Sequence, residues 1–132
     1  MSKPLGVLFV CLHGAAKSVV ATEYFRRLAG EAGADVTVAS AGVEPDAEIP
    51  AEVRNRLAAE GFDVGERRPA ELTAAALRDA DVVVSFGCQL DDAVTDSPVI
   101  VWEDVPAVSD GYDRARDAIV ARVQLLVSQL KQ

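Results

Sequence analysis

Aromatic residues are scarce in this chain: one Trp, two Tyr and four Phe account for 5% of its 132 residues. That leaves no aromatic platform on which bases could stack. Basic residues are also in the minority, 13 Lys and Arg against 21 Asp and Glu, and they are scattered rather than gathered into a stripe. With a formal net charge of −8, the chain is a poor partner for a nucleic-acid backbone. Long apolar runs are missing too. The longest lies near Val7 to Leu12, far short of a membrane span, and no basic segment followed by an apolar stretch and a cleavage site opens the chain. These absences predict a soluble cytoplasmic protein with no membrane partner. Two cysteines, Cys11 and Cys88, do not make a disulfide scaffold, and free thiols are expected in a reducing compartment. No repeat or low-complexity tract is present.

What is there suits one folded unit. Half the residues are apolar, and the length fits a single domain over 1–132. Leu5 to Val10 is a continuous apolar run of the kind found in a central parallel strand covered on both faces. Val20, Tyr24 and Leu28 then recur every four positions, predicting a helix from about Lys17 to Ala29 that closes near Gly30 to Gly33. A second strand is expected at Val36 to Ala39, with a loop from Ser40 to Pro50. Ile49, Val53 and Leu57 mark a second helix stopped at Gly61, and a short helix is expected to begin at Ala70 to Thr73. Asp81 to Ser85 and Pro98 to Trp102 read as the third and fourth strands, and Ile119, Val123, Leu126 and Leu130 as the buried stripe of a long last helix. Strand alternating with helix predicts an α/β fold, a doubly wound, mostly parallel sheet with right-handed crossovers. Ligands in such sheets sit beyond the carboxyl ends of the strands, which places Cys11, Ser40, Gly87 and Asp104 near one rim.

The first strand runs into Cys11-Leu-His-Gly-Ala-Ala-Lys-Ser18. Small residues let such a segment curl with its N–H groups inward, and the following helix adds unpaired N–H groups and the positive end of its dipole. A tetrahedral oxyanion fits that cradle, formed by Leu12, His13, Gly14, Ala15, Ala16, Lys17 and Ser18. Cys11 at its mouth is expected to act as a nucleophile, with Ser18 donating a hydrogen bond to the sulfur. The same residues also fit a plainer role, in which Cys11 is a small buried hydrophobe ending a strand and Gly14 merely turns the chain.

The segment Val-Leu-Phe-Val-Cys11, with Lys17-Ser18 after a five-residue spacer, resembles the nucleophile loop of the low-molecular-weight protein tyrosine phosphatases and of the arsenate reductases, thioredoxin- or mycothiol-coupled, that share their fold. The likeness continues through Ser40-Ala-Gly42, Gly61-Phe-Asp-Val64, Asp81 to Cys88, and Arg114-Ala-Arg-Asp-Ala-Ile119. It implies a three-layer domain with a four-stranded parallel sheet, and attack by Cys11 on phosphorus or arsenic while the loop backbone binds the equatorial oxygens. No cofactor is called for.

Several positions depart from the family pattern. Lys17 stands where arginine normally follows the spacer, exchanging a planar two-pronged donor for a flexible point charge. Gly14 replaces the asparagine common at the fourth loop position. The family's proton donor is an aspartate followed directly by proline on a late loop; Trp102-Glu-Asp-Val-Pro-Ala107 offers Asp104 by position, with Glu103 as runner-up. Asp110 and Asp113 read as helix-start residues. Gly87-Cys88 matches a pair present in some arsenate reductases, but Gln89 to Ala93 carries no further thiol, so a three-thiol relay is impossible. A Cys11–Cys88 redox pair, a one-cysteine cycle completed by an external small thiol or redoxin, or inert packing of Cys88 remain. No aromatic wall for phosphotyrosine stands near Leu12 or His13. The expectation is a cysteine-dependent phosphatase or arsenate-reductase-like enzyme. A phosphate- or arsenate-binding or phosphoprotein-binding domain without turnover is the alternative.

Overall fold

The computed structural model describes residues 4–65, 67–87 and 97–131. Four strands, β1 (Leu5–Cys11), β2 (Val36–Gly42), β3 (Val82–Ser85) and β4 (Val99–Val101), form one sheet in the order β2-β1-β3-β4, and every pairing is parallel. The helices are α1 (Lys17–Ala32), α2 (Ala51–Ala59), α3 (Ala74–Asp79) and α4 (Tyr112–Lys131), with a 3-10 turn at Val108–Asp110. This is the expected three-layer, doubly wound arrangement.

The apolar run of β1 is explained by its central place. Val7, Phe9 and Cys11 point into the larger core with α1, α2 and α4, whereas Leu8 and Val10 point into a smaller one under α3, with Leu77 and Ala80. A strand covered on both faces has no solvent side on which a polar residue would be favourable. The edge strand β2 instead alternates between exposed and half-buried positions until Ala41. Among the described residues, no helix is long and apolar enough to cross a membrane.

Two elements differ from the sequence reading. β2 runs three residues further than Ala39, because Cys11 prolongs β1 and Gly42 pairs with it. Residues 70–72 are not helical: Ala70 and Leu72 exchange backbone hydrogen bonds with Gly42, and α3 starts only after Thr73, whose Oγ1 accepts the Ala76 N–H at 3.0 Å. Threonine competes for that N–H from outside the helix, so it marks a cap rather than an interior position.

The few aromatics form two groups. Phe9 touches Phe25, Phe86 and Trp102, with ring centroids 5.7, 6.4 and 5.8 Å away, in the core directly beneath Cys11. Tyr24, Phe62 and Tyr112 gather instead around the end of α2. There the Glu60 carboxylate accepts hydrogen bonds from the hydroxyls of Tyr24 and Tyr112 and from Arg116, while Arg27 lies 3.6 Å over the Phe62 ring and donates to the Glu60 carbonyl. One acidic side chain thus ties α1 and α4 to α2, which forms a wall of the cleft described below.

Burial, the hydrogen bond to Glu60 and that residue's charge push the Tyr24 hydroxyl up to about 12, and the same causes push Tyr112 up as well. The native fold therefore holds these protons more tightly than the unfolded chain, whose tyrosines titrate near about 10. Stability from this network is complete below about pH 10 and is lost as pH rises through about 12. Since these are the chain's two tyrosines, the ultraviolet phenolate band reports on them alone. It is expected to emerge near about pH 12, together with unfolding, and at lower pH in Glu60→Gln. A folded protein with phenolate titrating near about pH 10 contradicts this assignment.

Candidate active site

The register carries Cys11 to the end of β1 opposite Gly42, while Val10 lies opposite Ser85. Because β1 is flanked by β2 on one side and β3 on the other, the chain leaves the sheet in opposite directions here and a crevice opens beyond the strand ends. A cleft of about 490 Å³ occupies it. Cys11, Leu12, His13 and Ala15 to Lys17 line one side, Phe86 and Gly87 follow from β3, Ala107 to Ser109 from the segment after β4, and Asp46, Pro50, Glu52 and Val53 from α2 and the loop before it.

The curl of the loop is set by backbone contacts. The carbonyls of Cys11, Leu12 and His13 accept hydrogen bonds from Val43, Glu44 and Asp46 at 3.2, 2.7 and 3.1 Å. These carbonyls are thereby committed away from the cleft. Gly14 has φ +62, and a Cβ there would lie 2.6 Å from the Gly42 nitrogen; a Cβ on Gly42 would lie 2.6 Å from the Gly14 nitrogen. Two glycines thus let two backbones touch where any side chain would collide with main-chain atoms that cannot yield.

Around the sulfur, the Gly14 N–H donates to Cys11 Sγ at 3.2 Å and Ser18 Oγ lies 3.0 Å away. Ser18 is fully buried and Cys11 nearly so. α1 begins immediately beyond, with Ala16 at its N-cap and no side-chain cap, so the N–H groups of its first turn are left for water or a ligand. Lys17, first residue of that helix, lines the cleft with them. An amide donor and a hydroxyl beside a polarizable sulfur, uncapped amides and a cation together suit an anion. Among the described residues, no group of three or more His, Cys, Asp or Glu side chains is placed to hold a metal ion.

The structure brings together Cys11, Leu12, His13, Ala15, Ala16 and Lys17 on the cleft, with Gly14 and Ser18 bonded to the sulfur from behind. Gly87 reaches the same cleft, whereas Ser40 lies within β2 opposite Phe9. Asp104 is placed differently: its carboxylate is 75% exposed and pairs with Arg122 of α4 at 2.6 Å, and neither Asp104 nor Glu103 is among the lining residues. Cys88 lies outside the described residues. Asp46, Glu52 and Phe86 were not singled out from the sequence. Phe86 was within reach of the strand-end rule that picks out Gly87; Asp46 and Glu52 carry no local signal.

Comparison with known proteins follows from this geometry. A family model described as low molecular weight phosphotyrosine protein phosphatase matches residues 6–98. A Halobacterium salinarum protein named "Putative arsenate reductase" is 30% identical over 82 residues, a match covering 61% of this chain and 58% of that protein's length. The solved structure of an arsenate reductase from Archaeoglobus fulgidus is 32% identical, covers 92% of this chain and 98% of its own, and superposes with a TM-score of 0.75. That of a YwlE mutant from Bacillus subtilis has a TM-score of 0.86 at 22% identity, covering 97% and 99% of the two chains.

Proposed function

Because the chain belongs to the low molecular weight phosphotyrosine protein phosphatase family, we propose that it is an enzyme in which Cys11 displaces a group from a tetrahedral phosphate or arsenate. The observation that carries this reading is the sulfur itself, hydrogen-bonded by Gly14 N–H and next to Ser18 Oγ at the floor of a cleft from which three loop carbonyls are turned away. Sulfur attacks in line, the loop and first-turn amides with Lys17 hold the equatorial oxygens, and the bond to the leaving oxygen breaks. A covalent cysteine adduct results. Water completes the cycle for a phosphate ester. For arsenate, an external small thiol or redoxin attacks the Cys11 sulfur, and the sulfur–arsenic bond breaks with its electron pair left on arsenic, which departs as arsenite. A second thiol of the same reductant then reduces the mixed disulfide and frees Cys11.

Selective protection of the thiol tests this. Phosphate and arsenate are expected to slow alkylation of Cys11 by iodoacetamide, read by peptide mass spectrometry, without slowing that of Cys88. Aryl phosphate hydrolysis and thiol-dependent arsenate reduction then show which acceptor is turned over. Unprotected Cys11 together with neither activity overturns the proposal. One observation favours a second reading, an oxyanion-binding domain without turnover: the cation lining the cleft is Lys17 rather than an arginine. Protection without either activity supports that reading.

A further inference from the structure

We propose that His13, oriented by Asp46, donates the proton to the leaving oxygen. The idea rests on the enzymatic reading above, and it assigns a step that the late loop is not placed to perform. Asp104 is held by Arg122, and the part of that segment that reaches the cleft, Ala107 to Ser109, carries no carboxylate. Among the described lining residues, the groups able to exchange a proton are Cys11, His13, Lys17, Asp46 and Glu52. Cys11 is the nucleophile and Lys17 the anion's counter-charge.

His13 is fixed at both its backbone and its ring. Its carbonyl accepts the Asp46 N–H at 3.1 Å, and its Nδ1 lies 3.2 Å from the Glu44 carbonyl oxygen and 3.3 Å from Asp46 Oδ1. Both ring partners are acceptors, so Nδ1 carries a hydrogen and Nε2 is the nitrogen free to serve the cleft. Asp46 Oδ1 faces the Nδ1 hydrogen and holds the ring in the orientation that the step requires. As the Cys11 sulfur bonds to phosphorus or arsenic and the bond to the leaving oxygen breaks, the Nε2 proton passes to that oxygen and leaves a neutral imidazole. The imidazole then takes a proton from the water that attacks the adduct, which restores the imidazolium.

Leaving-group dependence separates this role from a merely structural one. His13→Asn keeps an N–H near the position of Nδ1, and with it the bond to Asp46, but has no acid to offer. For a series of aryl phosphates, its rate is expected to fall by about a hundredfold to ten-thousandfold for the poorest leaving phenol and hardly at all for a dinitrophenol, which departs without a proton. Asp46→Asn should steepen the dependence in the same direction, and Asp104→Asn should parallel the wild type. Phosphate protection of Cys11 from alkylation shows in each variant that the cradle is intact, and should His13→Asn lose it, Asp46→Asn decides on the same slope. A uniform loss across all phenols, or a steepened dependence in Asp104→Asn alone, overturns the assignment while the Cys11 chemistry stands. Absence of turnover in the wild type removes both.

Discussion

Cys11→Ser is expected to lower the hydrolysis of an aryl phosphate by at least about 1,000-fold, the scale on which removal of a covalent nucleophile is felt. The hydroxyl that replaces the thiol is smaller, and it sits among the same neighbours, the Gly14 N–H and Ser18 Oγ. The Gly14 N–H can only donate to this position, and a serine hydroxyl is too weak a base to take its proton. His13 lends no base to the attack either, since in the cycle proposed above it enters that step as the imidazolium, with a proton on each ring nitrogen. A serine hydroxyl keeps its proton near neutral pH, so nothing remains to attack with. The cradle should survive, because its shape depends on the carbonyl bonds to Val43, Glu44 and Asp46 and on the Gly14–Gly42 contact. Phosphate should accordingly still raise the melting temperature of the variant, as any ligand specific to the native state does. Retention of more than a tenth of the wild-type rate would show that the chemistry belongs to another group.

Lys17→Arg is expected to act in the opposite direction, raising kcat/KM by roughly tenfold to a thousandfold, which corresponds to about 1.5–4 kcal/mol of transition-state stabilisation. Lysine places a compact charge on a flexible stem, whereas a guanidinium offers two parallel N–H groups to two oxygens of the transferring group. Position 17 can accept the larger head. It is the first residue of α1 and faces a cleft of about 490 Å³ rather than packed core. Steady-state kinetics on the same aryl phosphate read the change. Equal and negligible rates for both proteins, with phosphate still protecting Cys11, would favour the oxyanion-binding reading.

Much of this architecture was legible in the residue order. The continuous apolar run of β1, the four-residue recurrence of Val20, Tyr24 and Leu28, and the stripe from Ile119 to Leu130 are local periodicities, and a local periodicity is imposed by the element that carries it. The loop from Cys11 to Ser18 was legible as a strand-to-helix turn for the same reason: its cysteine, its small residues and the helix that follows are neighbours in the chain. Where the reading missed, the cause was a partner distant in sequence. Nothing between Ala39 and Gly42 announces that β2 continues until Cys11 is known to lie opposite. Nothing in Ala70 to Leu72 announces their bonds to Gly42. Asp104, chosen by its distance from Pro106, gave no sign of Arg122, eighteen residues away on α4.

Chain order alone was enough to read an alternating α/β fold with a cysteine where the first strand meets the first helix, since each of those features is written in contiguous residues. The identity of the side chains facing the sulfur had to await folding. The order β2-β1-β3-β4 brings the ends of β1, β3 and β4 to one crevice, and with them Phe86, Gly87 and Ala107 to Ser109, while Asp46 and Glu52 arrive from the far side. Proton transfer and recognition depend on such through-space neighbours, and strand order, unlike periodicity, is a property of the whole packed sheet.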